Sequence, residues 1–429
     1  MTDDPRPAPR RAALLVLAKL GLATLVVGVV TGLAVLLLVF IVHTIEHAVW
    51  GEAEGGFLDG LAYPAWMWLP LVTVAGAGVI AGVGWYALRR WGRKLASVEE
   101  GVAGQRMPAL ETVADTVLQV TSVALGASIG KEVAPRELSA MGASKVLAWF
   151  GVDARWRRIL IASAAGAGLA AVYNVPLGGA LFAVEILLAQ FSIRAAVAAL
   201  SVSAIATLVA RPLVPDAPLY HVPAVEVSWS LIVAAVLIGP LMGLGASSFL
   251  AATKRLSRHR PTGWKLLVVL PLVFAAVGLA GVFFPLVLGN GRALAQAGFD
   301  VSQPALILLL LAVLKHVATS VSLGAGAIGG TLQPSVAIGA ALGAAAAVGW
   351  GFVWPGADGT ALAIVAAAAF LAANMRAPFT AIVLVIEFTG TGFALLVPIF
   401  LAVAGALAVS SLFHPRGLSR FAPVDPGRE

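Results

Sequence analysis

Glu132 is the residue whose type and setting most readily suggest chemistry. With Lys131 it forms a short polar break, Ile129-Gly130-Lys131-Glu132-Val133-Ala134-Pro135, inside a strongly apolar stretch. A charged side chain at bilayer depth costs about 2.5–3.5 kcal/mol on insertion scales, so Glu132 is expected to face protein, water or an ion. Gly126 and Gly130 before the charges and Pro135 after them suit an interrupted helix, and irregular backbone at that depth survives only where protein buries it or a cavity meets it. The alternative is a helix end at the membrane surface, with Lys131 snorkelling to the headgroups.

A second copy of the pattern favours the buried site. Ile328-Gly329-Gly330-Thr331-Leu332-Gln333-Pro334 repeats Ile-Gly-x-x-x-x-Pro at an offset of 199 residues, from Ile129 to Ile328. Leu169 through Pro176 to Glu185 recurs as Leu371 through Pro378 to Glu387, with Pro and Glu both displaced by 202. Matching breaks in two halves of a membrane chain point to a transporter's binding site, formed where half-helix ends meet near the midplane. Chance matching in so Ala-rich a chain is the competing explanation.

The elements that must hold these segments are membrane helices. With 60% hydrophobic and 11% charged residues and a mean hydropathy of +0.96, the chain lies far from soluble usage, where about 25% of residues are charged. Its 46 glycines suit close helix packing in lipid. The net charge of +7 sits mostly in short loops between apolar runs, so it orients the protein and gives no reason to expect nucleic acid. Lacking cysteine, the chain has no disulfide or thiol chemistry.

Apolar segments are expected over 12–45, 64–88, 113–130, 137–150, 158–191, 193–213, 228–252, 264–288, 304–323, 334–354, 360–388 and 392–413. Several fall short of the ~20 residues a spanning helix needs, as helices that enter and stop inside the membrane would. The organisation reads as a basic tail (1–11), a first transmembrane half (12–213), a Pro-rich linker (214–227), a second half (228–413) and a polar tail (414–429). Basic loops at Arg89–Lys94, Arg155–Arg158 and Lys254–Lys265, with basic termini, place those loops and both termini in the cytoplasm.

Gly130-Lys131-Glu132, Gly329-Gly330-Thr331-Leu332-Gln333-Pro334 and Asn174-Val-Pro-Leu-Gly-Gly-Ala-Leu-Phe-Ala-Val-Glu185 together resemble the CLC family of anion channels and proton-coupled anion antiporters. The likeness covers roughly residues 10–415. It implies an all-α polytopic fold of two inverted helical halves with broken and re-entrant helices. It also implies a homodimer in the cell membrane, with one anion path per subunit, chloride or another small anion and protons as the transported species, and no cofactor, metal or enzymatic activity. Glu132 falls on the family's gating glutamate, which plugs the outer anion site when ionised and leaves it when protonated. Physics agrees, since backbone N–H groups and helix dipoles at N-termini favour a carboxylate where an anion would sit. Gly130, Lys131, Val133, Gly330, Thr331 and Leu332 are the anion-binding candidates, with Leu332 where the family usually has phenylalanine.

The sequence departs from the family pattern in several places. Gly92-Arg93-Lys94-Leu95-Ala96 is the nearest counterpart of the family's Gly-Ser-Gly-Ile-Pro, so Arg93 is either an anion-attracting residue or part of a positive-inside loop. Pro135 comes one residue late. Ile186 stands where antiporters carry the inner proton glutamate, leaving its neighbour Glu185 as the proton candidate, and Leu418 replaces the inner-gate tyrosine. Three functions stay in view: proton-coupled chloride antiport, a fluoride-exporting antiporter of the same family, and a passive chloride channel. Glu185 and its repeat mate Glu387 could instead cap neighbouring helices, with Lys315 and Arg376 as their partners or as snorkelling residues. An enzyme reading rests on His43-Thr44-Ile45-Glu46-His47, which matches the H-x-x-E-H zinc pattern, although no acidic cluster follows to supply a third ligand.

Overall fold

The first helix, α1, runs from Arg10 to Trp50, and its 41 residues make a rod about 60 Å long, twice the hydrocarbon thickness of a bilayer. A computed structural model describes residues 10–51 and 66–413, with side chains from Leu14 onward, so Leu418 and the polar tail lie outside the described residues. After α1 come α2 (Leu69–Trp91), α3 (Val98–Val102), α4 (Ala109–Ala124), α5 (Val133–Phe150), α6 (Ala154–Tyr173), α7 (Pro176–Leu181) and α8 (Ile193–Ala210). The second half holds α9 (Trp229–Ser257), α10 (Leu266–Phe283), α11 (Arg292–Phe299), α12 (Ala305–Gly324), α13 (Leu332–Gly351), α14 (Gly359–Met375), α15 (Pro378–Thr389) and α16 (Leu396–Phe413).

Eight of the described helices are long and apolar enough to cross a membrane. This is an all-α polytopic membrane protein built as an inverted repeat of two helical halves. Among the described residues the only bridge of β type joins the halves, where Gly130 and Gly330 pair antiparallel.

Two of the apolar runs are broken just before their matching prolines. The segment 158–191 stops at Asn174 (φ 55°) and restarts at Pro176, and 360–388 stops at Arg376 (φ 54°) and restarts at Pro378. Hydropathy hides these breaks because both sides of each are apolar. Left-handed caps and a proline in the first turn end one helix and begin the next. Their common offset of 202 residues is the repeat made visible.

Small residues set the packing distances. On α13, a methyl at Gly339 or Gly343 would lie 2.7 or 2.8 Å from the Cα of Ala367 or Ala363 on α14. On α9, Gly239 and Gly243 meet the backbone of Ala402 and Ala406 on α16 in the same way. Without a hydrophobic drive between helices in lipid, such close backbone approach supplies the attraction.

Candidate anion site

Two helix N-termini meet at the Gly130–Gly330 pair, because α5 begins at Val133 and α13 at Leu332, 199 residues apart. Each glycine donates its N–H to the other's carbonyl at 2.9 Å. Glu132 is the residue before α5 and is 1% exposed. Its side chain does not cap its own helix but crosses to the other half, where Oε1 accepts the Leu332 N–H at 2.6 Å. The second oxygen, Oε2, is buried without a hydrogen-bond partner. A Cβ on Gly130 or Gly330 would run into the Glu132 carboxylate and force that side chain to move.

Around this junction lies a polar lining that sequence patterns do not flag. Gln333, fully buried, accepts the Tyr220 hydroxyl at 2.7 Å through Oε1, while its Nε2 has no partner. Tyr173, also buried, presents an unpartnered hydroxyl. Asn374 donates to Thr331 Oγ1 at 3.2 Å and Ser335 Oγ at 2.8 Å, tying α14 to the start of α13. Tyr220 belongs to the segment read as a linker, yet it is 1% exposed and bonds the Phe388 carbonyl at 2.9 Å. Its one sequence signal was an aromatic residue in a Pro-rich stretch.

Several expected site residues are placed differently. Gly130 and Gly330, expected to offer amides to an anion, instead bond to each other, and the amide meeting the carboxylate is that of Leu332. Lys131 sits 6.0 Å above the Tyr173 ring, in the field of Glu46, Arg292 and Glu132. Val133 is the first residue of α5. Arg93 is not brought to the junction: its exposed guanidinium pairs with Glu111 at 2.9 Å, as a surface loop residue would.

Glu185 and Glu387 cap each other's helices. Glu185 accepts from Thr380 N at 2.7 Å, Thr380 Oγ1 at 2.6 Å and Phe379 N at 3.3 Å at the start of α15. Glu387 accepts from Leu177 N at 3.0 Å and Gly178 N at 2.7 Å at the start of α7. Lys315 is neither their partner nor snorkelling. Completely buried, it donates to Ser128 Oγ at 3.0 Å, the Val287 carbonyl at 2.9 Å and the Gly289 carbonyl at 2.6 Å. Arg376 occupies the left-handed cap of α14. Among the described residues no group of three or more His, Cys, Asp or Glu side chains could hold a metal, so the zinc alternative gains no support.

A family model described as voltage gated chloride channel matches residues 77–411. The H(+)/Cl(-) exchange transporter ClcA of Vibrio parahaemolyticus is 28% identical over 381 residues, 81% of this chain and 77% of that protein. The voltage-gated ClC-type chloride channel ClcB of Salmonella typhimurium is 31% identical over 401 residues, covering 87% of this chain and 91% of its own length. In fold, the chain is similar to the crystal structure of a slow cyanobacterial Cl-/H+ antiporter, with a TM-score of 0.80 at 22% identity over 92% of this chain and 95% of that one.

Proposed function

The chain belongs to the voltage-gated chloride channel (CLC) family, and on that premise we propose that it exchanges chloride for protons across the cell membrane, with Glu132 as the gate. The observation that carries this reading is the Glu132 carboxylate held on the Leu332 amide where two helix N-termini converge. Such ends favour negative charge, so an ionised Glu132 competes for the place an anion would take. Protonation removes the charge and weakens a charge-assisted bond. The carboxylate and the anion are thereby alternatives at one position, and a proton that releases the carboxylate opens it to the anion. The exchange transporter among its relatives supports the same reading.

The basic loops at Arg89–Lys94 and Lys254–Lys265 support a cytoplasmic location for their side of the protein. The homodimer implied by the family resemblance belongs to the same proposal. A passive chloride channel is the second reading, and one observation favours it: Ile186 cannot carry a proton and Glu185 is engaged at the start of α15.

Reconstitution in liposomes with an outward chloride gradient and no initial pH gradient separates the two. Antiport predicts proton movement opposite to chloride, while chloride efflux with a flat pH trace would make the protein a channel. Repeating the measurement with fluoride tests the fluoride-exporting alternative: fluoride flux well above chloride flux would replace chloride as the substrate.

A further inference from the structure

A proton that reaches Glu132 from the cytoplasm needs a route through the interior, and Ile186 supplies no titratable group on it. The interior on that side holds a pair of carboxylates. Gln119 on α4 donates through one nitrogen to Asp115 Oδ2 at 2.8 Å and to Glu137 Oε2 at 2.9 Å. The Trp85 indole on α2 donates to Asp115 Oδ1 at 2.7 Å. Asp115 and Gln119 are 2% and 1% exposed, and Gln119 Oε1 is buried with no donor.

Neither carboxylate belongs to an ion pair among the described residues, where pairs occur instead at Arg93–Glu111, Lys94–Glu100 and Arg211–Asp216. The cations nearest in sequence or field are committed to backbone carbonyls. Arg89 on α2 donates to the Gly326 carbonyl at 2.8 Å, and Arg136 on α5 donates to the Glu132 carbonyl at 3.0 Å. Two like charges sharing one amide in an apolar interior repel with little screening. A proton held between them removes one charge and the repulsion with it.

Position fits a relay. Glu137 follows Glu132 by five residues, about 7.5 Å of helical rise along α5. Asp115 lies toward the start of α4, the end marked by the Arg93–Glu111 pair. We propose that Asp115, Gln119 and Glu137 form the inner proton station of this protein, taking the place of the acid missing at Ile186. The proposal rests on the antiport reading. A proton leaves the Glu137 carboxyl for water, and a water proton passes to the Glu132 carboxylate. Each transfer breaks one O–H bond and forms another, with no change of oxidation state.

The experiment measures protons moved per chloride for Asp115→Asn and Glu137→Gln in liposomes, beside infrared spectra of the protein in the Glu132→Gln background. The proposal expects the proton-to-chloride ratio to fall at least tenfold in either variant, with chloride transport still measurable, and partial recovery in Glu137→Asp. It also expects the C=O stretch of a protonated carboxyl at neutral pH, lost on adding Glu137→Gln. An unchanged ratio in both variants overturns it. Should a substitution prevent folding, absence of the protonated-carboxyl band from the Glu132→Gln protein overturns it equally. A wild-type protein that moves no protons while the band is present and assigned to Glu137 refutes antiport instead, and so distinguishes the two failures.

Discussion

Glu132→Gln is expected to abolish the pH dependence of chloride flux and to hold flux at the level the native protein reaches in acid. In the native protein flux should rise as pH falls, because the ionised carboxylate holds the Leu332 amide and protonation loosens it. A hydrogen bond to a charged group contributes about 1.5–3 kcal/mol against roughly 0.5–1.5 for a neutral one. Losing that difference, about 1–1.5 kcal/mol, shifts occupancy of the amide by about one power of ten, which sets the size of the native pH response. Gln has the shape of protonated Glu and no charge, so its flux should follow a flat pH profile. Flux measured from pH 4 to 8 in both proteins decides the matter. A Gln variant that keeps the native slope would remove Glu132 as the gate.

Gly330→Ala is expected to lower chloride flux more than tenfold, and to do so with Glu132 present or truncated. The added methyl falls within the space of the Glu132 side chain, whose Cγ would lie 2.8 Å from the new Cβ. If the carboxylate occupies the anion's place, the methyl blocks both. Glu132→Ala alone removes the plug and should give high flux; adding Gly330→Ala should suppress it. The comparison is a double-mutant cycle, which isolates the shared position from general damage. Normal flux in the doubly substituted protein would show that the anion passes elsewhere.

How much of this was legible in the sequence follows from what each signal encodes. Hydropathy found the helical, membrane-spanning class because burial in lipid demands apolar residues throughout a helix. The repeated Ile-Gly-x-x-x-x-Pro marked the two helix starts that meet at Gly130 and Gly330. Glu132 stood out because charge is costly where it lies. The breaks at Asn174 and Arg376 escaped the apolar pattern, since a left-handed cap changes the backbone and not the hydropathy. Contacts across the chain left no local trace: Tyr220 on Gln333, Lys315 on Gly289, and Glu137 with Asp115 on one amide join residues far apart in sequence. Arg93 stayed open between two readings for a physical reason, because a loop cation has the same composition whether it faces an anion path or a neighbouring Glu111.

The central claim is that the Glu132 carboxylate and the transported anion compete for the Leu332 amide. Bromide, carried in place of chloride, can be located by its anomalous scattering in crystals of the native protein at alkaline pH and of Glu132→Gln. The account predicts a bromide peak within hydrogen-bonding distance of the Leu332 nitrogen in the Gln variant and none there in the native protein. A peak at that nitrogen in both proteins, or in neither while bromide binds elsewhere along the helices, would contradict it.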